Sequence, residues 1–89
     1  MAIEWNENKN KINIVKHGID FSDAHKIFEH PIISKVDDRF NYQEKRYIGI
    51  GKLESVIVVF VYTKRGKNIR IISIRKANKI ERKIYNGQI

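Results

Sequence analysis

The segment Ser55–Arg75, "SVIVVFVYTKRGKNIRIISIR", decides the architecture. "SVIVVFVYT" (Ser55–Thr63) is apolar on both alternating faces, which predicts a central strand covered on both sides. "KRGK" (Lys64–Lys67) makes the hairpin turn, where Gly66 supplies the positive φ such a turn usually requires. "NIRIISIR" (Asn68–Arg75) is then the strand that returns. Upstream, "RYIGIG" (Arg46–Gly51) and "IISKV" (Ile32–Val36) read as two more strands, joined by the polar link "DDRFNYQEK". The glycines of the former either weaken it or allow close packing.

The flanks read as helices. "IEW" (Ile3–Trp5) is a short strand, with Trp5 as core packing. Asn6 then offers a cap for a helix through "ENKNKINIVKH", which Gly18 closes in a left-handed conformation. Ile12 and Val15, three apart, are its expected inward stripe, with Lys9, Lys11 and Lys16 around them. "DFSD" opens a second helix capped by Asp20, with Asp23 three residues on as a capping-box echo. Ala24, Ile27 and Phe28 are its apolar face, and Pro31 stops it. At the other end, Asn78 with Glu81 three later is a capping pair for a last helix. There Ile80 and Ile84 are expected inward, and Lys79, Arg82 and Lys83 outward. The expectation is one α+β domain over residues 1–89: a small antiparallel sheet, two N-terminal helices and one C-terminal helix.

Charge is unevenly spread. The chain holds 18 Lys+Arg and 10 Asp+Glu, a net charge of +8, and residues 63–89 carry nine of the bases against Glu81 alone. A one-sided basic cluster points toward nucleic acid or an acidic partner. Without cysteine, disulfides and thiolate metal sites are excluded. The longest apolar run, "VIVVFVY", is far short of the ~20 residues that cross a bilayer, and the N-terminus lacks a secretory layout. A soluble, cytoplasmic protein is expected, with no membrane partner.

The inventory narrows the chemistry. His17, His25 and His30 have no metal-spaced carboxylates beside them, and His25 and His30, five apart, do not share a helix face, so neither a metal nor another cofactor is expected. "GIG" (Gly49–Gly51) lies within a strand pattern and opens no helix, so it is no phosphate loop. A Ser-His-acid triad is not indicated, although its members need not be close in sequence. Guanidinium and ammonium groups remain, and they suit metal-free cleavage of RNA. The ribose 2′-hydroxyl is an internal nucleophile, so an enzyme needs only to orient it, move protons and stabilise the charged transition state. Arginine grips two phosphate oxygens at once and stays protonated.

The motifs "EWNENKNKINIVKHGIDF", "VYTKRG" and "RIISIRKANKIERKIY" resemble the BrnT toxins of bacterial type II toxin–antitoxin systems over almost the full chain. The pattern K-x-x-x-N, K-H-G, Y-T-x-R-G and R-I-I-S-x-R-x-A-x-x-x-E-R-x-x-Y is filled in order, from Lys9 and Asn13 to Arg82 and Tyr85. Asn6 stands where aspartate is commoner, and Ile74 where alanine is commoner. The resemblance implies a RelE-like ribonuclease fold, RNA cleavage that arrests growth, and neutralisation by a ribbon-helix-helix antitoxin, BrnA. It also implies a two-plus-two complex that represses its own operon by binding operator DNA through the antitoxin.

Each candidate residue has an ordinary reading beside the functional one. Arg65, at the hairpin tip, is a solvated turn residue or a phosphate contact, and the motif favours the latter. Simple alternation puts Arg70 and Arg75 on opposite faces of their strand unless a bulge intervenes; Arg75 is the one assigned to the site. His17 ends helix 1, where a helix C-terminus favours a cation, so it is a cap or a general acid. Lys16, Lys64, Arg70, Lys79 and Arg82 are candidates to hold the RNA backbone, with Lys83 on the same basic face. Tyr85 stacks on a base, donates a proton, or completes a core or an interface. The expected function is a metal-independent endoribonuclease toxin in which Arg65, Arg75 and His17 act on one phosphodiester. The alternatives are a non-catalytic nucleic-acid-binding module and a basic surface that only docks an acidic partner.

Overall fold

The structure is a computed structural model describing residues 2–39 and 41–88. Among these residues, five strands form one sheet in the order β1-β5-β4-β3-β2. They are β1 (Ile3–Trp5), β2 (Ile33–Asp37), β3 (Arg46–Leu53), β4 (Val56–Arg65) and β5 (Asn68–Lys76). The expected hairpin is the β4–β5 pair, with Arg65 opposite Asn68 and Gly66 at φ +59° in the turn. β4 is central. The sheet is mixed rather than antiparallel throughout, because β1 runs parallel to β5 from Ile3 opposite Ile69 to Trp5 opposite Ile71. A three-residue strand carries no pattern that reveals its direction; α1 (Glu7–His17) supplies the crossover away from it.

The first face of the sheet is the core face. Val58, Phe60 and Tyr62 of β4 and Ile71 and Ile74 of β5 are buried there under Phe21, Ala24 and Ile27. Phe28 packs edge-on to Phe60 with ring centroids 5.7 Å apart. The cover is a 3₁₀ turn (Phe21–Asp23) leading into α2 (Ala24–Ile27), shorter than a helix running to Pro31. Asp20 accepts a hydrogen bond from Ser22 N, as expected, while Asp23 pairs with Lys26 rather than completing a capping box. Glycines in β3 permit this approach: a Cβ on Gly49 would lie 2.7 Å from Phe60 Cζ, and one on Gly51 2.7 Å from Ile27 Cγ2.

Two helices turn the opposite way from the periodicity reading. α1 has the expected ends, with Asn6 accepting from Lys9 N and Gly18 left-handed at φ +71°. Its buried residues, however, are Asn10 and Asn13, while Ile12 and Val15 are 65% and 89% exposed. The reason is what the helix faces. β1 pairs with β5 only as far as Ile71, so beyond that point the β5 edge presents bare backbone. Asn13 occupies this edge: its side-chain oxygen accepts from Ile74 N at 3.1 Å, and its amide donates to Ile74 O at 2.9 Å and Ile19 O at 3.0 Å. A buried amide satisfies backbone groups that an isoleucine would leave unpaired. Asn10 likewise accepts from Phe21 N at 2.8 Å and donates to Asp20.

In α3 (Lys79–Gln88), the capping pair forms reciprocally, Asn78 N to Glu81 and Glu81 N to Asn78, both at 2.8 Å. Tyr85 is its buried residue and donates its hydroxyl to Pro31 O at 2.8 Å. Ile80 and Ile84, expected inward, are exposed.

Candidate nucleic-acid interface

The second face of the sheet carries the arginines. Residues opposite one another in a sheet point to the same side, and successive residues alternate. One row therefore crosses all five strands: Asp37 on β2, Arg46 on β3, Thr63 on β4, Arg70 on β5 and Glu4 on β1. The next row toward the hairpin tip has Arg65. Arg46 and Arg70 flank Thr63, their Cα atoms about 10 Å apart at two strand spacings. Thr63 is buried between them and donates its hydroxyl to Lys45 O at 2.8 Å.

A bulge places Arg70 and Arg75 on the same side. Tyr62 faces Ile71 and Val61 faces Ser73, so Ile72 is the extra residue and the alternation of β5 resets. Arg70, Ser73 and Arg75 then share the second face. Asn13 holds the backbone immediately after this bulge, at Ile74.

The arginines differ in what engages them. Glu44 lies between two: its Oε2 is 3.4 Å from an Arg65 terminal nitrogen, and its Oε1 is 3.7 Å from Arg46 Nε. Arg46 also lies over the Tyr42 ring, 4.2 Å from its centroid. Its Nε is buried with no hydrogen-bond partner among the described residues. These two arginines, Gln43 and Glu44 line an open hollow of about 560 Å³. Arg70 makes a loose pair with Glu4 at 3.9 Å. Asp37, fully buried as a side chain, takes Arg39 on both oxygens at 2.7 and 2.9 Å and accepts from Tyr42. The Arg39 hydrogen bond holds the Asp37 carboxyl down at about 2.

Arg75 stands apart. It opposes Val59, six positions along β4 from Arg65, a distance of about 20 Å. Both its terminal nitrogens are donated to Glu81 at 2.8 Å, and that hydrogen-bonded pair keeps Glu81 below its ordinary pKa. Arg65 and Arg75 thus do not meet around a single phosphate.

The other sequence candidates scatter. Lys64 is on the core face, its ammonium 4.9 Å from the Tyr47 ring centroid, with the sheet between it and the arginines. His17 and Lys16 line a shallow hollow at the β5 edge with Lys9, Asn13 and Ser73. Lys79 and Arg82 are exposed on α3, and Arg82 donates to Ala77 O at 2.9 Å. Tyr85 is buried with its hydroxyl committed to Pro31, and so completes a core. Sequence reading passed over Arg46, whose only signal was a base opening the "RYIGIG" strand.

The chain matches, over residues 5–81, the family model described as a ribonuclease toxin, BrnT, of type II toxin-antitoxin system. It belongs to the BrnT family. Membership of a BrnT toxin family makes a ribonuclease toxin the description at family level, and a type II system implies a protein antitoxin as partner. No curated protein sequence matches the chain.

Proposed function

We propose that this BrnT-family chain is a metal-independent endoribonuclease with a RelE-like use of its fold, the RNA backbone lying across the second face of the sheet at its hairpin end. The observation that carries this reading is the single Glu44 carboxylate held between Arg46 and Arg65. A phosphodiester has the same charge and similar size, and it would take that place with Arg70 reaching it from across Thr63. Three guanidinium groups there would offset the charge that builds on the phosphorus oxygens as the 2′-hydroxyl attacks. The products are a 2′,3′-cyclic phosphate and a 5′-hydroxyl end.

His17 is the proposed proton carrier. It stands at the rim of this face beside Ser73, with Lys16 and Lys9 as backbone contacts. Arg75 is assigned to fixing α3 through Glu81, in place of a direct phosphate contact. Lys79 and Arg82, exposed on α3, are assigned as peripheral cations rather than to the chemistry. The proposed antitoxin is a ribbon-helix-helix protein that also carries the complex to operator DNA.

The test is cleavage of a defined RNA by the purified chain in excess EDTA, mapped by end chemistry. Wild type should cut and leave cyclic phosphate. Arg46→Ala and Arg70→Ala should each lower the rate on the order of 10²-fold or more, as loss of a transition-state donor does. Activity that requires an added divalent ion, or arginine variants that cut like wild type, would overturn the mechanism. Equal retention of DNA and RNA without product would instead mark a binding module.

A further inference from the structure

α3 leaves an apolar seam uncovered. Ile80 is 69% and Ile84 42% exposed, and four residues apart they stand on one helix face. Ile84 leads into a groove of about 290 Å³ between α3 and the sheet, lined also by Ile33, Lys35, Ile48, Ile50 and Val59. The groove lies at the Arg75 end of the second face, away from Arg46 and Arg65. Lys35 on β2 is the base in its lining, and Lys79 and Lys83 are exposed on α3 beside the Ile80–Ile84 face. The acid within it, Glu81, is already bound to Arg75.

An isoleucine-lined groove with lysines around it complements a segment that mixes apolar and acidic side chains. We infer that this seam receives an acidic segment of the protein antitoxin, whose apolar side chains fill the groove beside Ile84 while its carboxylates meet Lys35, Lys79 and Lys83. The inference rests on the type II reading of the family. A second copy of the chain fits poorly, since a net charge of +8 sets like charge against these lysines. The exposed apolar pair of α1, Ile12 and Val15, borders a smaller hollow of about 170 Å³ in which Ile12 and Ile72 stand among Lys9, Asn13, Lys16, His17 and Ser73.

The experiment titrates the purified chain with the antitoxin encoded in its own operon, by calorimetry, with RNA cleavage by the free toxin measured in parallel. Ile80→Glu and Ile84→Glu should each weaken antitoxin binding on the order of 100-fold, the scale of a buried interface anchor. Their cleavage and thermal unfolding should stay as in wild type. Lys83→Glu should weaken binding in a salt-dependent way, and Ile12→Glu should leave it unchanged. Seam variants that bind like wild type would overturn the inference. So would seam variants that alter only self-association of the toxin in sedimentation. If the unaltered chain binds no antitoxin, the type II reading falls and the seam assignment with it.

Discussion

Replacing Asn13 by alanine should cost far more stability than replacing Ile12, although a helical hydrophobic pattern ranks them the other way. Asn13 is 5% exposed and makes three hydrogen bonds, at 2.9, 3.0 and 3.1 Å, to Ile74 O, Ile19 O and Ile74 N. In Asn13→Ala all three backbone groups lose their partner in a buried place. At about 1 kcal/mol per net hydrogen bond, and more where the orphaned group stays dry, the loss is about 3 kcal/mol. A chain of this length has roughly 4–13 kcal/mol in total, so this is a large share. Ile12→Ala removes a side chain that is 65% exposed and adds a better helix former, so its effect should lie within about 0.5 kcal/mol.

Urea unfolding followed by circular dichroism measures both. With a slope of roughly 1–3 kcal/mol/M, the Asn13→Ala midpoint should fall by about 1 M or more at unchanged slope. A loss under about 1 kcal/mol for Asn13→Ala, or a larger loss for Ile12→Ala, would refute the claim that α1 meets a strand edge with amides. Because Asn13 holds the backbone just past the Ile72 bulge, the same variant should also lower RNA cleavage.

Gly49→Ala puts a Cβ 2.7 Å from Phe60 Cζ in the core and should cost about 1–3 kcal/mol, whereas Gly87→Ala in α3 meets nothing within 4 Å and should gain up to ~1 kcal/mol; paired urea melts check the opposite signs. Asp37 has its folded pKa lowered from 3.8 to about 2, so its contribution is complete above pH ~4 and is lost as pH falls toward 2. Unfolding free energies for wild type and Asp37→Asn should therefore converge across that window; a constant difference would refute the buried ion pair as the cause. Tyr85→Phe should lose about 1 kcal/mol with the Pro31 hydrogen bond and keep its cleavage rate, and a rate loss beyond tenfold would return Tyr85 to the site.

Local signals in the sequence were legible where one residue does one local job. Asn6 and Gly18 bound α1, Asn78 and Glu81 open α3, and Gly66 turns the β4–β5 hairpin. Periodicity failed where an element meets something other than an apolar face. α1 lies against the edge of β5, so its inward residues are the Asn10 and Asn13 pair, whose spacing of three was the available sign. α3 anchors through Tyr85, which leaves Ile80 and Ile84 outside. The β3–β4 turn carries no glycine signal, because Glu54 takes the left-handed conformation at φ +55°, where its carboxylate binds Lys26 at 2.7 Å. Arg46 was missed for a different reason. Its place beside Thr63 depends on the register of β3 against β4, and no count along the chain contains that.

The same point governs the charge. Along the chain all excess base lies after residue 62, yet on the second face acids from the neutral N-terminal part meet some of it, Glu4 beside Arg70 and Glu44 beside Arg65, while Glu44 and Asp37 also engage Arg46 and Arg39 of their own part. Unopposed, guanidinium groups this close would repel, and their side chains would be ordered only when substrate arrived. With carboxylates between them they are oriented beforehand, at the cost that an incoming phosphate must displace an acid. Glu44 can yield at little expense. It is 36% exposed and lies in the polar link before β3, and its single negative charge is exchanged for the single charge of a phosphodiester. Asp37 cannot, because its side chain is fully buried and tied by Arg39 and Tyr42. Of the acids on this face, Glu44 is therefore the one whose removal should tighten RNA binding, and Asp37 the one whose removal should loosen the fold.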